Sequence, residues 1–126
     1  QDAFNAEYPE AEKRLKGPRH AKPSEVVRII RTTMLPLLDY TIAGFDPLVK
    51  KGRAYVKLLG DSVKAKPKLK RAIEDFAGQK KAMQQIRRTY ADEAALFAKG
   101  KPAPEQLRKI LRARIAAARK LQRMGQ

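Results

Sequence analysis

Arg108, Arg112, Arg119 and Arg123 recur near the end of the chain at intervals of four, seven and four residues. At about 100° per residue on a helix, the four fall within about 60° of one another. They flank an apolar half made by Leu107, Ile110, Leu111, Ile115, Ala118 and Leu121. Lys109 and Lys120 extend the band, and after Glu105 no acid interrupts it. A helix that needs only solubility intersperses Glu at four-residue spacing, which adds a few tenths of a kcal/mol per pair, while like charges at that spacing cost similar amounts. This helix tolerates repulsion, which points to an external anion. A guanidinium fork bonds two phosphate oxygens at once or stacks on a base, so the pattern fits a nucleic-acid backbone. A solvated bundle face, or one set against an acidic protein, is the plain alternative.

A second basic field comprises Lys50, Lys51, Arg53, Lys57, Lys64, Lys66, Lys68, Lys70 and Arg71, opposed only by Asp61. Being lysine-rich, it suits non-directional phosphate contacts, which set affinity and position more than sequence preference. A third cluster, Lys80, Lys81, Arg87 and Arg88, lies off the apolar stripe of its segment. Three fields on different elements are expected of a protein that RNA surrounds. A reader of one DNA groove concentrates its bases on a single recognition helix, and no helix-turn-helix, zinc-finger or leucine-zipper pattern is present.

Other chemistries find no support. His20 is the single histidine, set between Arg19 and Lys22, without the partners that a metal site or a catalytic triad needs. With no cysteine there is no disulfide framework and no thiolate ligand or nucleophile, and a reducing compartment is favoured. Glu74-Asp75 and Asp92-Glu93 are sequence neighbours pointing about 100° apart on a helix, so neither forms an acid/base pair alone. The seven glycines are isolated, with no phosphate-cradling loop among them. The tyrosines and phenylalanines mostly follow the apolar stripes and are expected in the core, Tyr55 between Arg53 and Lys57 being the exception to watch. No catalytic, cofactor-binding or metal-binding residue is assigned, no small-molecule substrate is implied, and the chain is read as a non-enzyme. A membrane-surface role is set aside because the terminal helix carries Ala, Leu and Ile without Trp or Phe anchors.

These side chains need a scaffold. The chain has 126 residues, 29 Lys and Arg against 13 Asp and Glu, a formal net charge of +16 and 43% apolar residues. That length fits one domain with one modest core, and that charge calls for a polyanionic partner. It begins at Gln1 rather than Met, so a processed or trimmed chain is expected. Pro9 to Lys16 reads as a short helix, followed by a basic connector at 17–23. Ser24 is placed as an N-cap opening the most apolar segment, which runs to Phe45 and is kinked or split at Pro36. Asp46-Pro47 reads as the start of a further helix ending before Gly60. A lysine-rich loop at 60–68 then gives way to one long helix from Pro67 to about Phe97, interrupted only weakly at Gly78. Gly100, Pro102 and Pro104 break the chain before the last helix.

The expected fold is all-α: a small irregular bundle of four or five helices, with a long central helix and a basic C-terminal helix, residues 1–126 forming one helical RNA-binding domain. Ile30, Leu37, Leu38, Ile42, Leu59, Ile73 and Phe76 are the expected core. In composition the chain broadly resembles small helical ribosomal proteins, above all the accessory proteins of mitochondrial ribosomes. The resemblance rests on no motif and transfers no residue. It implies a structural component of a large ribonucleoprotein that contacts ribosomal RNA and neighbouring proteins, in the mitochondrial matrix or another compartment that holds ribosomes. The alternatives are a helical accessory subunit of an organellar or respiratory complex, with its basic faces against acidic protein or cardiolipin, and a DNA-binding protein.

Overall fold

The computed structural model describes residues 22–125, so the expected helix at 9–16, His20 and most of the connector at 17–23 lie outside the described residues. Of the described residues 87% are helical, and none lies in a strand. They form three rods rather than four or five. The first consists of α1 (Pro23–Ile29), a π-helical stretch (Ile30–Met34) and α2 (Leu35–Leu58) without a break; α3 (Lys66–Ala98) and α4 (Pro104–Met124) follow.

Prolines shape the first rod in two ways. Pro23 occupies the first turn with Lys22 as N-cap, so Ser24 sits inside the helix and does not cap it. A proline at the first helical position loses no bond, since its N–H would be an orphan there. Pro36 has no N–H for the Thr32 carbonyl, and in the preceding turn the Leu35 N–H donates to Ile30 O, five residues back. One extra residue is thereby inserted, and the buried line continues from Ile30 to Leu38 instead of to Leu37. Leu38 is 8% exposed and Leu37 58%.

Asp46-Pro47 does not open a helix. Both lie inside α2, and the Asp46 carboxylate accepts from Lys80 of α3 instead of capping its own backbone. Ala43, whose carbonyl loses its bond to the missing Pro47 N–H, is exposed, so water can reach that side of the helix.

The rods run up, down and up. Three ion pairs set α2 antiparallel to α3: Asp39 with Arg87, Asp46 with Lys80, and Glu74 with Arg53 through two 3.1 Å bonds. The second turn of the chain uses Gly100 at φ 113°, a left-handed conformation that favours glycine, before α4 begins at Pro104. On α4, Met124 reaches back to Gly78, where an added Cβ would meet the Met124 sulfur at 2.5 Å. Gly78 thus stays inside an unbroken helix and serves as a landing place for its neighbour.

The core is concentrated around the second half of α3, with α1 packed on one side of it and α4 on another. Val26, Ile30, Leu38, Ile86, Tyr90, Ala94, Phe97, Leu107, Leu111 and Ala117 form it. Towards the α2–α3 turn the buried apolar residues are Val56 and Ile73. Of the residues expected in the core, Ile30, Leu38 and Ile73 are buried, Ile42, Leu59 and Phe76 are half-buried, and Leu37 is a correction imposed by the inserted residue.

Candidate nucleic-acid interface

The α4 ridge forms as its spacing requires. Leu107, Leu111, Arg114 and Ala117 are buried against α3, while Arg108, Lys109, Arg112, Arg119, Lys120 and Arg123 are all exposed on the outer side. Arg108 bonds Glu105 one turn earlier at 3.0 Å. Among the described residues the other five have no acidic partner, which leaves their donors to an external acceptor.

Arg114 is the exception on this helix, and the pattern of the apolar half did not single it out. It lies in the middle of that half and is 3% exposed. One guanidinium nitrogen bonds Glu93 Oε1 at 2.5 Å, Nε donates to Thr89 Oγ1 at 3.0 Å, and the group stacks 3.6 Å above the Tyr90 ring. The Thr89 hydroxyl in turn donates to Ile86 O. This buried network fixes the register of α4 on α3 and gives phosphate nothing to bind. The signal in the sequence was an arginine seven residues after Leu107 on an apolar stripe, with Thr89 and Glu93 four apart on the facing helix.

The structure brings two of the three basic fields together. Lys50, Arg53 and Lys57 of α2 and Lys80 and Lys81 of α3 line one shallow groove of about 680 Å³ at the α2–α3 seam, floored by Val49, Ala54 and Ala77, with Asp46 also on its wall. Beside it, Lys66 and Lys70 join Arg53 and Lys57 around a second depression of about 320 Å³ with Glu74. Lys51 opens to the opposite side of the seam, beside Leu48 and Tyr55. Lys64, Lys68 and Arg71 are exposed near the turn, and Arg88 is exposed on α3.

Several of these cations already have acids. Lys66 is half-buried and bonds both Leu59 O at 3.0 Å and Asp61 at 2.8 Å, so it closes the turn. That turn spans 59–65, and Lys66 to Lys68, expected in a loop, begin α3. The side-chain hydrogen bond from Arg53 holds the Glu74 carboxyl below its ordinary range, and that from Lys66 does the same for Asp61. Reciprocally, the bond to Glu74 raises Arg53 and the bond to Asp39 raises Arg87. Asp39, Asp46 and Glu74 therefore join α2 to α3, Lys70 adds its charge beside Glu74, and Lys50, Lys51, Lys57, Lys64, Lys68, Arg71, Lys81 and Arg88 have no ion pair among the described residues.

No group of three or more His, Cys, Asp or Glu that could hold a metal is found among the described residues, and no helix there is long and apolar enough to cross a membrane. The chain matches no family model, no curated protein and no solved structure.

Proposed function

We propose that this protein is a structural RNA-binding component of a large ribonucleoprotein, specifically a ribosome and within that class a mitochondrial one, holding ribosomal RNA by its phosphates. The observation that carries the reading is the division of labour among charges. Asp39, Asp46, Glu74 and Glu93 pair between helices, while the outer side of α4 carries five bases with no acidic partner among the described residues. Unpaired arginines and lysines on a rigid helix neutralise backbone phosphates and release their counterions, a contact that positions without reading sequence.

The exposed side of α2 supports a place inside an assembly. Leu37, Tyr40, Leu48, Tyr55 and Leu58 are all more than half exposed, Tyr40 at 81% and Leu58 at 84%. Contiguous exposed apolar surface marks protein contact, so this side is assigned to a neighbouring protein. The same observation favours the second reading, an accessory subunit of a protein complex in which the basic faces meet acidic protein. Co-sedimentation separates the two. The first reading expects the protein to travel with ribosomal particles and to be released by ribonuclease; retention in a protein complex after nuclease treatment favours the second.

A further inference from the structure

Around the central helix α3, the residues that meet α2 (Ile73, Glu74, Lys80 and Arg87) cluster about one direction. Those that meet α4 (Gly78, Gln79, Thr89 and Glu93) cluster about 175° away at about 100° per residue. The outer rods accordingly stay apart: no Cα of α1 or α2 lies within 8 Å of one in α4. α3 stands between them, and at the core end its Ile86, Tyr90, Ala94 and Phe97 are buried in one cluster with residues of both outer rods.

The protein's two unpaired basic surfaces point in different directions. The groove of Lys50, Lys57 and Lys81 opens on one side of the α2–α3 seam. On α4 the four exposed arginines lie about 145° around the helix from the buried line of Leu107, Leu111, Arg114 and Ala117. Following the helical sense through the antiparallel pairs, they turn more than a right angle away from the side on which the groove opens. With helix axes about 8–10 Å apart, the ridge stands about 20 Å from the seam. A straight duplex lying in the groove therefore does not reach the arginines.

The geometry points to a brace: one copy of the protein joins two separate RNA duplex segments, one seated on the α2–α3 groove and the other on the α4 ridge. This rests on the RNA reading above and adds a stoichiometry and a purpose to it. When both segments belong to one RNA, the second contact is intramolecular, and linked sites of this kind exceed either single affinity by roughly 10² to 10⁴.

The test uses the full chain and two unrelated short RNA hairpins, one on beads and one fluorescent. The brace predicts that the protein holds the fluorescent hairpin on the beads, and that sedimentation finds complexes of one protein with two hairpins. Arg112→Glu with Arg119→Glu, or Lys50→Glu with Lys57→Glu, lowers the limiting stoichiometry from two hairpins per protein to one and cuts bead retention at least about tenfold, because either pair removes one of two required sites. Saturation at one hairpin per protein, retention that needs two protein copies, or retention indifferent to both double variants overturns the brace while the RNA reading stands. Failure of the unaltered protein to bind either hairpin at about 0.1 M salt overturns both.

Discussion

Arg114 shows how little the type of a residue says about its task. It shares a helix with Arg112 and Arg119, yet its guanidinium lies between Glu93, Thr89 and the Tyr90 ring, with 3% of its surface exposed. Removing one partner of a buried ion pair costs about 3–5 kcal/mol, because the remaining charge loses its compensation. Arg114→Ala should therefore lower unfolding stability by that amount, as read by urea denaturation. Arg112→Ala, on the outer side, should change it by no more than about 0.5 kcal/mol. The exposed α4 cations were legible because helical spacing alone separates an outer side from an inner one. The partners of Arg53, Lys80 and Arg87 were not, since their acids lie 21, 34 and 48 residues away in sequence. Those pairs also give a pH dependence. Glu74 has its carboxyl lowered from an ordinary value of 4.5 by the Arg53 hydrogen bond, so its contribution is fully present above that value and is lost as pH falls through the lower folded one. Stability should decline below about pH 4.5, and Glu74→Gln should flatten that decline in urea midpoints measured across pH.

At the level of elements, α3 and α4 were readable from end to end: each has a continuous apolar stripe and starts with proline in its first turn. The first rod was not. Its Asp46-Pro47 has the local chemistry of a helix start, and only the ion pair of Asp46 with Lys80 and that of Arg53 with Glu74 reveal why the helix runs through. Local capping preference is worth about 1 kcal/mol, which packing along a whole helix outweighs. Pro36 was expected to kink or split the rod, and a π turn before it absorbs the missing donor, an outcome that no spacing rule on the apolar residues can encode. Two glycines on α2 test the packing. An added Cβ at Gly44 meets nothing within 4 Å, whereas at Gly52 it stands 2.8 Å from Ile73 Cγ1. Gly44→Ala should stabilise by about 0.5–1 kcal/mol through helix propensity, and Gly52→Ala should destabilise by about 1 kcal/mol or more because Ile73 has to give way. Thermal unfolding of the two variants decides this; equal shifts would contradict the α2–α3 seam.

For the whole molecule, a formal charge of +16 is set against a core that, among the described residues, gathers at one end of three rods. Self-repulsion opposes such a shape, and a polyanion laid against it removes the repulsion. The central claim is that the outer side of α4 meets RNA phosphates, and salt dependence tests it most directly. Each phosphate neutralised on a duplex steepens the fall of log affinity with log salt by about 0.9. For duplex RNA, the Arg112→Glu, Arg119→Glu variant should retain its helical circular dichroism, flatten that slope by about two units and leave sequence preference unchanged. A variant that binds with the wild-type affinity and the wild-type slope would contradict the claim and leave the ridge to a protein partner or to solvent.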